Sequence, residues 1–114
     1  MKLDKSLNSG NTTMLILKLI EEEDMYGYQM IESLEKKSNS VFSLKAGTLY
    51  PILHSLEQQN MVTAYEGISD EGRKRKYYKI TEKGKKLLQE KEKEWVHYAN
   101  AVKNVLGGVS YVGA

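Results

Sequence analysis

Four consecutive cations, Arg73-Lys74-Arg75-Lys76, are the sharpest chemical feature of this 114-residue chain. With Lys79, Lys83, Lys85 and Lys86 they give residues 73–86 a net charge of +7, opposed only by Glu82. Residues 1–72 carry a net −5 and residues 87–114 a net of zero, so the overall +2 conceals the block. An isolated cationic block suits a polyanion, and its plainer alternative is a solvated hairpin whose lysines aid solubility. Upstream, residues 45–58 combine an apolar stripe (Leu49, Ile52, Leu53, Leu56) with polar side chains. A helix entering the major groove needs those two faces, an apolar back and a short polar front. Lys45 suits a phosphate or a guanine edge, Thr48 and Ser55 are short enough for close approach, and Tyr50 offers a phenol to phosphate. His54 either contacts DNA or simply faces solvent. The basic block would straddle the backbone or enter the adjacent minor groove, giving affinity that falls steeply with salt.

Catalysis finds no comparable constellation. There is no cysteine, which removes disulfides, thiolate nucleophiles and Cys-based zinc sites together. His54 and His97 are 43 residues apart, and neither a glycine-rich phosphate loop nor a nucleophile elbow occurs. Most carboxylates sit in helical charge runs that read as solvated faces. The expectation is a non-enzyme with no cofactor and no metal. The polar first residues and the short apolar run Met14-Leu15-Ile16-Leu17, cut by Lys18, match neither a signal peptide nor a membrane span, so a cytoplasmic protein without a membrane partner is expected.

The elements that must position these residues follow from periodicity. One domain is expected at this length. Thr12-Thr13 would cap a first helix running to about Glu22, and Tyr26-Gly27-Tyr28 would open a second with Met30, Ile31 and Leu34 buried. The third helix carries Pro51, so it either starts near Gly47 or is distorted in its second turn. Met61 to Glu66 and Arg75 to Thr81 read as two strands around a turn at Gly67–Gly72, with Tyr78 and Ile80 facing the core. Thr81 would cap a final helix reaching Leu106, before Gly107-Gly108. The fold expected is mainly α with a small β-hairpin: a winged helix-turn-helix over 1–81, a long C-terminal dimerisation helix over 82–106 in the same structural unit, and a flexible tail at 107–114.

On the final helix Leu88, Glu92, Trp95, Ala99, Val102 and Leu106 advance by alternating steps of four and three, a coiled-coil seam with one polar interruption. Leu88, Trp95, Ala99, Val102 and Leu106 are therefore expected at an interface with a second copy. Two-fold symmetry would set two recognition helices roughly 34 Å apart on a pseudo-palindromic double-stranded operator.

Tyr26-Gly27-Tyr28, Gly47-Thr48-Leu49-Tyr50-Pro51-Ile52-Leu53, Leu56-Glu57 and the run Gly72 to Gly84 together resemble the PadR family of bacterial transcriptional regulators, over residues 10–106. The resemblance implies a winged helix-turn-helix repressor that dimerises through its last helix, with Thr48 and Tyr50 against DNA and Lys74 to Lys76 in the wing. One departure is Asn60, where the family usually has glycine; asparagine also tolerates a left-handed backbone. Short PadR members include multidrug-sensing repressors whose paired tryptophans sandwich planar aromatic compounds, and Trp95 stands at the matching position. Met14, Lys18 and Ala99 would then join Trp95 around that ligand. The charged turn Lys91-Glu92-Lys93-Glu94 favours the other reading of Trp95, an ordinary interface anchor. A ligand-independent repressor, or a winged helix used for RNA or protein contacts, remains the rival to a ligand-responsive one.

Overall fold

The computed structural model of the chain describes residues 9–107. Seven elements follow one another: α1 (Ser9–Glu22), β1 (Met25–Tyr26), α2 (Gly27–Lys37), α3 (Ala46–Gln58), β2 (Val62–Ile68), β3 (Lys74–Ile80) and α4 (Glu82–Val105). The strands form one antiparallel sheet in the order β1-β3-β2. Val62 pairs with Ile80 and Tyr65 with Tyr77, while β1 sets Met25 opposite Tyr78 and Tyr26 opposite Tyr77.

The core lies where three helices meet the inner face of this sheet. Ile16, Leu17 and Ile20 come from α1, Met30 and Leu34 from α2, and Leu49, Leu53 and Leu56 from α3. Val62, Tyr78 and Ile80 cover them from the sheet, and Leu88 closes the cluster from the start of α4. The alternation along β3 explains the split: Tyr78 and Ile80 point inward, while Arg75, Tyr77 and Lys79 line the outer face.

Several sequence expectations shift. The first helix begins at Ser9, so Thr12 and Thr13 lie within it and Thr12 is buried. No proline or glycine pair upstream stops the helix at the threonines, and packing of Ile16, Leu17 and Ile20 carries it back a further turn. The hairpin is a three-stranded sheet, because Met25 and Tyr26 add a strand too short to leave any periodicity in the sequence. β2 extends through Gly67 and Ile68, and the turn tightens to Ser69–Arg73, where the Ser69 N–H donates to the Arg73 carbonyl at 2.8 Å.

Pro51 sits inside α3, which starts at Ala46. Its missing N–H leaves the Gly47 carbonyl without the usual helical donor, while the carbonyl of the cap residue Lys45 accepts from both Thr48 and Leu49. Thr81 caps α4 as expected, its hydroxyl oxygen accepting from the Gly84 N–H at 3.0 Å. Beyond Gly107 the expected tail lies outside the described residues, as do residues 1–8. Among the described residues no helix is long and apolar enough to cross a membrane.

Candidate nucleic-acid interface

α3 has opposed faces. Leu49, Leu53 and Leu56 are buried, whereas Gly47, Pro51, His54 and Gln58, at steps of four, three and four, form an exposed ridge on the other side. Lys45 and Thr48 are exposed at the N-terminal end of the helix. Ser55 is exposed as well, its hydroxyl oxygen accepting a 2.8 Å bond from Gln59 Nε2. Gln58 joins this ridge although its residue type carries no signal of its own in the sequence. The same helical step that links Gly47, Pro51 and His54 leads to it, and its amide is suited to an adenine edge.

Tyr50 has a contact within the chain that its sequence position does not reveal. It is 47% exposed, yet its hydroxyl rests against Gly27 in the first turn of α2. A phenol anchored there sets the distance between the two helices of the helix-turn-helix, besides facing the surface.

The basic block also divides. Arg73 and Lys74 are exposed, and among the described residues neither side chain has an ion-pair partner. Arg75 is half-buried on the outer face, its guanidinium 5.1 Å from the centre of the Tyr26 ring and its Nε buried without a hydrogen-bond partner among the described residues. Lys76, on the inner face, lies 3.3 Å from Glu57 of α3 and 5.5 Å from the Tyr78 ring centre. The neighbouring Tyr78 phenol, and then the bond to Glu57, hold the Lys76 ammonium above its ordinary range. Strand alternation points Arg75 and Lys76 to opposite faces, and each has a contact within the chain, Arg75 with a ring and Lys76 with a carboxylate, although Lys76 stays exposed.

α1 and α4 border a groove of about 350 Å³ lined by Gly10, Asn11, Met14, Lys91, Glu94, Trp95 and Tyr98. Trp95 and Tyr98 stack with centroids 5.9 Å apart. Met14 and Trp95 both line this groove, whereas Lys18 and Ala99 do not. Lys18 is held one turn along α1 by Glu21 at 3.0 Å, and that bond, followed by the charge of the same carboxylate, raises its pKa. Ala99 lies one residue beyond Tyr98, past the stretch of α4 that faces the start of α1. Leu88 is fully buried in the chain's own core, so it is not free for an interface. The remaining seam residues Trp95, Val102 and Leu106 are exposed, together with Val96, Tyr98 and Val105, and Ala99 is half-exposed.

Residues 16–90 match the model of the PadR-like transcriptional regulator family. The chain belongs to that family. It is 37% identical over 100 residues to a protein of Lysinibacillus sphaericus, covering 88% of this chain and 92% of that one. A crystal structure of a Streptococcus mutans protein superposes with a TM-score of 0.81 at 30% identity, over 96% of this chain and 99% of that one. A PadR-like transcriptional regulator from Bacillus cereus superposes with a TM-score of 0.75 at 32% identity, over 85% of this chain and 92% of that one. The PadR family consists of transcriptional regulators and not enzymes, in keeping with a surface whose chemistry is ridge, wing and groove. In PadR terms α2 and α3 are the helix-turn-helix, β2 and β3 are the wing, and Asn60 adopts a φ of 61°, a left-handed conformation that asparagine tolerates.

Proposed function

We propose that this PadR regulator is a homodimeric repressor that binds a pseudo-palindromic double-stranded DNA operator. The observation that carries the reading is the joint placement of the exposed α3 ridge and the exposed wing cations Arg73 and Lys74, which have no ion-pair partner among the described residues, bridged by Lys76 and Glu57. The α3 ridge enters the major groove, where Lys45, Thr48, His54, Ser55 and Gln58 are placed to read base edges. Arg73 and Lys74 neutralise phosphates beside it and supply the salt-dependent part of the affinity.

Dimerisation falls to α4. After Leu88 its remaining length carries Trp95, Val96, Tyr98, Val102, Val105 and Leu106 in the open, an apolar surface that a second copy would cover. Residues 1–81 form the DNA-binding part in this reading, and 82–106 the pairing helix of the same unit. The groove beside Trp95 suits a planar aromatic ligand stacked on the indole with Lys91 at its edge, and occupancy there would alter how the two DNA-binding parts are spaced.

Fluorescence anisotropy on DNA upstream of the protein's own gene, across a salt series, tests the first part. Saturable binding at a two-fold-related site by a dimer in sedimentation supports the reading, and equal weak binding to every sequence overturns operator recognition in favour of a general winged-helix contact. Trp95 is the only tryptophan, so quenching by planar aromatic dyes tests the ligand directly. Absence of quenching across a broad panel leaves Trp95 as an interface anchor and the repressor as ligand-independent.

A further inference from the structure

Asp24 is an acidic side chain set beside a surface suited to a polyanion, and its carboxylate is engaged rather than free. It accepts a 2.6 Å hydrogen bond from the hydroxyl of Tyr65, on β2 of the wing. The Tyr65 ring stacks on Tyr77 of β3 at 5.6 Å with an interplanar angle of 14°. Tyr77 meets the Tyr26 ring edge-on at 5.4 Å, and Tyr26 carries the Arg75 guanidinium on its face. The Tyr26 hydroxyl donates a 3.5 Å bond to Glu71 in the wing turn. The Tyr26 backbone N–H, at the cap of α2, donates to Gln29 Oε1 at 3.1 Å.

One connected path therefore runs from the end of α1, across both wing strands, to the cap of α2. On the opposite face of the sheet, Lys76 ties the wing to Glu57 of α3. Beyond Tyr77, where the pairing with β1 ends, the wing is a two-stranded ribbon with little rigidity by itself, and its direction there is set by what holds its two faces. Here the outer face is held by Asp24, Tyr65, Tyr77 and Tyr26, and the inner face by Glu57.

We propose that Asp24 is a positioning residue for DNA binding: through its bond to Tyr65 it fixes the wing against α2 and α3, so that Arg73 and Lys74 meet phosphate while α3 lies in the major groove. The inference rests on the DNA-binding reading above. It also opposes simple electrostatics. Removing a carboxylate near DNA relieves repulsion and by itself tightens binding, whereas removing a tie on the wing weakens it.

The test compares the full-length wild-type chain with Asp24→Ala, Asp24→Asn, Tyr65→Phe and the Asp24→Ala/Tyr65→Phe double variant, by anisotropy on the DNA site selected by the wild type. Asp24→Ala and Tyr65→Phe are expected to weaken binding roughly tenfold, about the worth of one hydrogen bond to a charged group. Asp24→Asn, which keeps an acceptor, lies nearer the wild type. The double variant is no weaker than the single ones. The slope of log affinity against log salt drops by about 0.9 for each phosphate contact the loosened wing gives up, a change that loss of stability alone does not cause. Without DNA, wing amides in β2 and β3 exchange faster in Asp24→Ala while those around Leu88 stay protected. Asp24→Ala binding as tightly as wild type, or tighter, with an unchanged slope overturns the proposal, as do additive losses in the double variant. Failure of the wild type itself to bind DNA defeats the broader reading. Amide exchange then judges the tie separately, faster wing exchange upholding it and unchanged exchange overturning it.

Discussion

The hydroxyl of Tyr50 lies so close to Gly27 that a Cβ at residue 27 would stand 2.3 Å from it. This contact joins the first turn of α2 to the recognition helix, and it explains why a glycine opens a helix in which it would otherwise cost stability. Gly27→Ala forces the Tyr50 ring aside. Because the half-exposed ring can swing outward, the expected cost is at the low end of overpacking, about 1 kcal/mol, and it should nearly vanish when Tyr50→Ala has already emptied the space. Urea denaturation of the two single variants and the double variant checks this. Equal costs of Gly27→Ala in both backgrounds would show that the ring does not define the site.

The wing cations should separate by salt dependence. Lys74→Ala and Arg73→Ala each remove an exposed charge with no ion-pair partner among the described residues, so each is expected to lower the salt slope by about 0.9 per protomer. Arg75→Ala removes a guanidinium stacked on Tyr26 and is expected to leave the slope within error while lowering the unfolding midpoint. Anisotropy titrations at several salt concentrations decide the matter, and a full contact's drop in slope for Arg75→Ala would return that residue to the DNA surface.

That division also marks where the sequence stopped being legible. The α3 stripe, the Thr81 cap, the inward Tyr78 and Ile80, and the left-handed Asn60 all follow from local rules: helical period, capping chemistry, strand alternation and backbone tolerance. β1 does not, since two residues carry no period, and its pairing with β3 depends on a partner some fifty positions away. The contacts of Arg75 and Lys76 are hidden for the same reason. Charge alone leaves both cations without a stated partner, and only the fold brings Tyr26 and Glu57 against them from distant segments. Leu88 fits a heptad seam by spacing and is nonetheless buried within one chain, because periodicity identifies an apolar face without saying which neighbour covers it.

The Tyr65 bond gives a signed pH dependence. Donation to Asp24, aided by partial burial, pushes the Tyr65 phenol up to about 12, above its ordinary value of 10.0 in the unfolded chain. A raised folded value favours the protonated form, so the contribution to stability is complete below pH 10 and fades as pH climbs toward 12. The gap in urea midpoint between wild type and Tyr65→Phe should stay constant from neutral pH to the lower edge of that window, then shrink. A gap that persists unchanged through the window would mean the hydroxyl bond is not what stabilises the wing.

Gly84 offers a test in which two rules disagree in sign. It lies in the first turn of α4, where alanine normally favours a helix over glycine by about 1 kcal/mol. Yet a Cβ there would fall 2.1 Å from the Met61 carbonyl oxygen and 2.8 Å from Ile80 Cγ1. The first of these is backbone, held in place because the Met61 carbonyl also accepts from the Thr81 N–H at 3.1 Å. It cannot rotate away as a side-chain tip does, so α4 must shift off the sheet. Gly84→Ala is therefore expected to destabilise by at least about 1–3 kcal/mol, and Gly84→Ser by no less. Because α4 is seated on the core from this turn through Leu88, the same change should also move its exposed apolar stretch, weakening the proposed self-association in sedimentation. A stabilised Gly84→Ala variant would mean that propensity outweighs the contact and that α4 docks on the sheet more loosely than this geometry requires.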